Sequence, residues 1–283
     1  MTELRFAKYH GTGNDFVMVE DLAGELELSP EAIAAICHRR FGVGGDGLIR
    51  VLRGEGVADF FMDYSNADGT TAEMCGNGIR CLGKLVYDGN LTDKTDLIVD
   101  TRGGLKYLTL DVRDGRVAEV TVDMGPPRFT RADIPMRGPA WETFQMEPVE
   151  AGGRTFKGSA LSMGNPHLVL FIDGDPADVD VGLIGPALEN DDLFPEKTNV
   201  EFVVPGSDGI LNTRVWERGS GETMACGTGA CAVLVAANEA GLAPPKATVR
   251  FPGGDLSLER RDDGNVTLTG PAVMVFDGVL TID

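Results

Sequence analysis

The feature that most constrains this chain is that it repeats itself once. HGTGNDFVMVE at 10–20 is echoed by MGNPHLVLFID at 163–173, and EMCGNGIRC at 73–81 by MACGTGACA at 224–232. Asn14 and Asn165, Cys75 and Cys226, and the glycines Gly103 and Gly254 of two GG turns are each separated by 151 residues. A helix-like stretch at 30–40 recurs near 180–190, and DG turns recur at Asp114-Gly115 and Asp263-Gly264. One offset shared by so many landmarks predicts two domains of one fold, since the period is far too long for a stacked solenoid. The expected division is 1–126 plus 272–283 for the first domain and 127–271 for the second, with the active site in the cleft between them. Residues 125–153, rich in Gly and Pro, read as the crossover. Those beyond about 272 exceed the repeat and are expected to complete the first domain's sheet.

Local patterns fill in the repeat. Ser29-Pro30 starts a helix expected to run to about Phe41, with Ser as N-cap and Pro at the first helical position. DGLIRVLR, GLKYLTLDV, RVAEVTVDM, TNVEFVVP and NVTLTG alternate as strands do, and the DG pairs supply hairpin turns. Each cysteine motif opens a helix, GIRCLGKLVYDG closing at Gly89 and GACAVLVAANEAG at Gly241. The second helix is apolar on nearly every side, as a helix enclosed by sheet would be. The fold class is therefore α+β, two pseudo-symmetric duplicated domains, each with a mostly antiparallel or mixed sheet.

Charge narrows the partners. Lys plus Arg is 25 against 44 for Asp plus Glu, a formal charge of −19, which repels nucleic-acid backbones and anionic lipid. No apolar run approaches a membrane span, and the opening MTELRFAKYH lacks a signal peptide's apolar stretch. A cytoplasmic protein is the expectation. Glycine is abundant, 38 of 283 residues and close to twice the usual share, gathered in short clusters where backbone turns or approaches a ligand. The five cysteines are an odd number for a disulfide framework in a reducing compartment.

Cys75 and Cys226 sit where a Gly-rich turn enters a helix, so unpaired N–H groups and the helix dipole favour a thiolate there. The N–H groups of Gly76-Asn77 and Gly227-Thr228 suit a carboxylate. Two such cysteines on opposite faces of one carbon could remove a proton from one side and return one on the other, as a cofactor-independent racemase or epimerase requires. A lone cysteine opening a helix is as a rule a packed small hydrophobe. Here both copies fall in the polar turn, and the repeat favours function. Cys81, Cys231 and Cys37 read as core. FGVGGDG contains Gly42, Gly44 and Gly47 in a G-x-G-x-x-G spacing but follows a helix and precedes a strand, the reverse of a dinucleotide fingerprint. The cysteine spacings do not suit zinc, and HGTGND has no P-loop Lys-Ser/Thr after it.

HGTGNDF, YSNADG with EMCGNGIRC, MGNPH, TNVEF and WERGSGETMACGTGACA together resemble the diaminopimelate epimerase family over essentially the whole chain. The resemblance implies conversion of LL-2,6-diaminopimelate to the meso form in lysine and peptidoglycan-precursor synthesis. It also implies no cofactor, no metal, a small diamino diacid as the partner molecule and a homodimer. In each domain it implies a sheet wrapped around a central helix. By motif, Cys226 would be the base toward the LL substrate and Cys75 the acid, with His167 and Glu217 tuning the thiols. Gly76, Asn77, Gly227 and Thr228 would bind the reacting carboxylate. Asn14, Asn66, Asn165 and Asn199 would position the substrate with Glu217 and Arg218, the latter suited to a two-pronged grip on the distal carboxylate. Two positions depart from the family pattern: Gly47 stands where some members carry a substrate-contacting Gln, and Phe276 where many have a Tyr at the dimer contact. Proline racemase-like chemistry shares the two-cysteine plan, but its first motif usually has His where Asn77 stands. A thiol-redox protein with a switchable Cys75–Cys226 disulfide is the rival of a different class.

Overall fold

The computed structural model describes residues 2–282. The chain divides into two compact units, one of 1–122 with 270–283 and the other of 123–269. In chain order the elements are β1 (Thr2–Gly11), β2 (Asn14–Glu20), α1 (Pro30–Cys37), β3 (Gly47–Arg53), β4 (Phe60–Asn66), α2 (Gly76–Asp88), β5 (Asp96–Thr101), β6 (Lys106–Arg113) and β7 (Arg116–Gly125). They continue with β8 (Phe144–Ala151), β9 (Arg154–Ser162), β10 (Pro166–Phe171), α3 (Val181–Glu189), β11 (Asn199–Pro205), β12 (Ile210–Glu217), β13 (Gly221–Thr223), α4 (Gly227–Glu239), β14 (Lys246–Phe251), β15 (Gly254–Arg260), β16 (Val266–Pro271) and β17 (Val273–Ile282).

The pairing scheme is the same in the two units. In the first, β17 is antiparallel to β1, β1 to β2, β3 to β4, β5 to β6 and β6 to β7, while β2 is parallel to β3 and β4 to β5. In the second, β8 is antiparallel to β9, β9 to β10, β11 to β12, β14 to β15 and β15 to β16, while β10 is parallel to β11 and β12 to β14. Parallel neighbours need a crossover: α1 and α3 fill one kind, α2 and α4 the other. The alternating stretches of the sequence occupy β3, β6, β7, β11 and β16. The first DG turn has both Asp114 and Gly115 at positive φ, as a two-residue hairpin loop demands.

Two expectations needed correction. The first helix stops at Cys37 because His38 leaves the helical conformation, at φ −66 and ψ 118; its Nδ1 then accepts the backbone N–H groups of Arg40 and Phe41. The Gly- and Pro-rich stretch is not all crossover, because 144–151 forms β8, a strand in the place that β17 holds beside β1.

Each unit buries a central helix, and a further buried apolar cluster lies against α1 in the first and α3 in the second. Residues Gly229 to Ala237 of α4 are all buried, and α4 packs on β9, β10, β11, β14 and β15. Burying each of Val233, Leu234 and Val235 contributes about 1.5–3 kcal/mol. Amphipathic α2 lies on β1, β2 and β6 with Ile79, Leu82 and Val86 fully covered.

Candidate active site

Cys75 and Cys226 are the N-cap residues of α2 and α4, with matching extended backbones: φ −135 and ψ 119 for Cys75, φ −124 and ψ 124 for Cys226. The cap position leaves the first-turn N–H groups of Gly76 and Asn77, and of Gly227 and Thr228, outside the helical ladder, at a helix end that favours an anion. Among the described residues no disulfide joins any of the cysteines. Cys81, Cys231 and Cys37 are buried in the core, where burial pushes the Cys81 thiol up to about 12 and the Cys37 thiol to about 11.

Around Cys75 the side chains are amides. Its Sγ donates to Asn14 Oδ1 at 3.5 Å, and Asn77 Nδ2 donates to the same oxygen at 3.3 Å. The other end of the Asn14 amide donates from Nδ2 to Asp46 Oδ2 at 2.7 Å. Because a carboxylate accepts only, this bond fixes which end of the amide faces the thiol. Asp46 also accepts the Asp15 N–H and is gripped by Arg39. Against the burial that would raise it, Arg39 and Lys8 hold the Asp15 carboxyl well below the usual range. Asn66 stands opposite Gly47 in the β3–β4 register, with Nδ2 donating to Thr70 rather than into the Asn14 cluster. Behind the helix start, fully buried Arg80 donates to the Gly76 carbonyl at 3.0 Å.

Around Cys226 the side chains are ionisable. Its Sγ accepts the Gly229 N–H at 3.4 Å and lies 3.5 Å from the Thr228 hydroxyl. Glu217, at the end of β12, bonds to the Thr223 hydroxyl and to the Cys226 thiol. Burial raises the Glu217 carboxyl above its ordinary range. Burial, then the Glu217 and Glu201 carboxyls, push the Cys226 thiol well above an ordinary thiol, outweighing Thr228 and the Gly229 N–H. The helix start alone predicts easier ionisation; here desolvation and like charge win. His167, on β10, is fully buried, with Nδ1 2.7 Å from Glu201 Oε1 and Nε2 3.0 Å from Asn165 Oδ1. Asn199 donates to the Pro166 carbonyl at 2.7 Å and accepts the Arg218 N–H at 2.9 Å, so it holds the turn that presents Arg218. The exposed Arg218 guanidinium reaches the Glu196 carbonyl at 3.1 Å; among the described residues no carboxylate pairs with it.

Within the first unit the structure thus gathers Asn14, Cys75, Gly76 and Asn77, while Asn66, paired with Gly47 on β3, bonds to Thr70 instead. Within the second it joins Asn165 to His167, Asn199 to Arg218, and Cys226 to Glu217, Gly227 and Thr228. Three residues escaped the sequence reading: Asp46, Arg80 and Glu201. Asp46 lies in a loop read for its glycines, Arg80 in a helix read for its cysteines, and Glu201 in a strand read for its alternation. An acidic residue on the inward phase of the buried β11 run was the one available signal.

The diaminopimelate epimerase family model matches residues 6–130 and 159–275. The chain belongs to that family. Diaminopimelate epimerases of Acetivibrio thermocellus and Moorella thermoacetica are 45% and 46% identical to it, each alignment covering 99% of this chain and 99% and 100% of the relative. Among solved structures, a hydroxyproline epimerase from Agrobacterium vitis shares the fold of this family member with a TM-score of 0.70 at 14% identity, covering 100% of this chain and 92% of the other. A PhzF-family phenazine biosynthesis protein from Bacillus anthracis does so with a TM-score of 0.68 at 16% identity, covering 100% of both chains. Among the described residues no helix of this epimerase-family chain is long and apolar enough to cross a membrane, and no cluster of three or more His, Cys, Asp or Glu side chains suits a metal ion.

Proposed function

We propose that this chain interconverts LL- and meso-2,6-diaminopimelate by a two-thiol mechanism that needs no cofactor, in lysine and peptidoglycan-precursor synthesis. The observation that carries the reading is the equivalence of Cys75 and Cys226, N-cap thiols of the central helix in two copies of one fold. Family membership supplies the substrate class, a small diamino diacid. In the LL-to-meso direction Cys226, as thiolate, takes the α-proton. The bond's electron pair spreads into the carboxylate held by the N–H groups of Gly76, Asn77, Gly227 and Thr228. Cys75, as thiol, delivers its proton to the opposite face, so Cys226 ends as thiol and Cys75 as thiolate; the reverse reaction exchanges the roles.

Asn14, Asn66, Asn165 and Asn199 position the substrate, and Arg218, which has no carboxylate partner among the described residues, takes the distal carboxylate through its planar fork. Glu217 and His167 tune the Cys226 side. Burial and carboxyls push the Cys226 thiol up; the substrate's ammonium group brings the positive charge that favours the thiolate, and the thiol's proton passes to the Glu217 carboxylate bonded to it. Exposed Val273, Met274, Val275 and Phe276 on β17 support a homodimer, and the enzyme works in the cytoplasm.

The reading is tested in heavy water with LL-diaminopimelate and no added cofactor. Deuterium enters the α-carbon during turnover, and Cys75→Ser and Cys226→Ser each abolish epimerisation. Absence of wash-in, or full activity in either serine variant, overturns it.

A further inference from the structure

The two units carry the same strands in the same register, so each buried position beside one cysteine has a counterpart beside the other. Phe16 pairs with Gly47, and Ile49 pairs with Met18 two residues along; likewise His167 pairs with Asn199, and Glu201 with Val169 two residues along. Phe16 therefore matches His167, and Ile49 matches Glu201. A second measure gives the same match. A methyl group placed on Gly78 of α2 would meet Ile49 Cδ1 at 2.6 Å, and one on Gly229 of α4 would meet Glu201 Oε1 at 2.7 Å. All four side chains are fully buried.

The fold thus fills this place with hydrocarbon in one copy and with an imidazole and a carboxylate in the other. Packing does not require the charge. Glu201 Oε2 is buried without a hydrogen-bond partner among the described residues, an arrangement that opposes stability. The costly pair stands only in the unit that holds Cys226, where Glu201 also raises the thiol.

We propose that Glu201 is a positioning residue for the epimerisation: its acceptor carboxylate fixes a proton on His167 Nδ1 and turns Nε2 to Asn165. A ring nitrogen's proton is set by the partner of the other nitrogen. Nδ1 faces a group that cannot donate, so the ring cannot take the tautomer bearing hydrogen on Nε2 alone. Nε2 and Asn165 are then held in one arrangement through each turnover. The Cys226 side becomes an ordered chain from Glu201 through His167 to Asn165, whereas the Cys75 side relies on amides. This inference rests on the reading of Cys226 as a catalytic thiol.

The test uses Glu201→Gln, which keeps shape but can donate to Nδ1. The full chain has only three histidines, so 15N-histidine NMR at pH 8 resolves the His167 ring. The Nδ1 proton is present in the wild type and is lost or shared with Nε2 in E201Q. kcat falls about 100-fold, as when a carboxylate orienting a catalytic histidine becomes an amide, while KM stays within about threefold. An unchanged His167 tautomer, or kcat within about threefold of wild type, overturns the proposal. Full activity in Cys226→Ser would instead sink the two-thiol reading, leaving the NMR result standing. A second variant, His167→Phe with Glu201→Ile, copies the first unit's pair. It folds and melts within about 5 °C of wild type or above it; a larger fall would show that the pair serves stability.

Discussion

Asp46 Oδ2 accepts the Asn14 amide at 2.7 Å, and that bond decides which end of the amide Cys75 meets. With Asp46→Ala the amide is free to turn, and Nδ2 instead of Oδ1 can face the thiol. A hydrogen bond to a charged group contributes about 1.5–3 kcal/mol, so kcat/KM falls about 10- to 150-fold, measured with LL-diaminopimelate. Asp46→Asn, which can present Oδ1 to Asn14, retains more activity than the alanine variant.

Gly78 and Gly229 give the second prediction, because equal crowding has unequal consequences. Gly78→Ala pushes on Ile49 Cδ1, the end of a hydrocarbon side chain. It costs about 1–3 kcal/mol of stability, and adding Ile49→Val, which removes that carbon, restores most of it. Gly229→Ala pushes on Glu201 Oε1, already held at 2.7 Å by His167. Activity falls there by more than the loss of stability explains. Thermal melting and kcat on the three variants separate the two effects.

The same comparison shows what the sequence made legible. The 151-residue offset predicts the duplicated fold because Asn, Gly and Cys at turns survive as letters in both copies. The equivalence of Phe16 with His167 keeps the 151-residue offset but joins unlike residues, so the letters do not announce it, and the strand register establishes it. Glu201 and Ile49 are 152 residues apart, so the simple offset misses their match by one. β8 was hidden for a related reason: its counterpart β17 lies at the far end of the chain, outside the repeat. The upward push on the Cys226 thiol is not legible in sequence, because a helix start shows in the letters whereas burial and the carboxyls of Glu217 and Glu201 on other strands do not.

Alkaline pH weakens the fold through buried acids. The Cys37 and Cys81 thiols rise from 9.0 to about 11 and about 12, and burial pushes Tyr9 from 10.0 to about 12. These folded values lie above the unfolded ones. Their contribution is complete below about pH 9, and it is lost as pH climbs toward the folded values. Each thiol that ionises only in the unfolded chain removes about 1.4 kcal/mol per pH unit. The melting temperature therefore falls increasingly steeply from pH 9 to 11. Cys81→Ala starts lower, because of the cavity, but falls less steeply over that range.

β17 supplies the last prediction. Val273, Met274, Val275, Phe276 and Val279 are 41–55% exposed, an apolar run along one strand of the first unit. Phe276 packs edge-on against Phe6 with ring centroids 6.0 Å apart, so its ring is held in place where it meets solvent. Contiguous exposed hydrocarbon of this kind marks an association surface, and a second copy presents the same patch to itself about a twofold axis. Val275→Asp places a charge in that patch without touching the Phe6–Phe276 contact. Sedimentation velocity then gives a dimer for the wild type and a monomer for V275D, with the secondary structure seen by circular dichroism unchanged. A wild type that sediments as a monomer at micromolar concentration would mean that the strand serves some other contact.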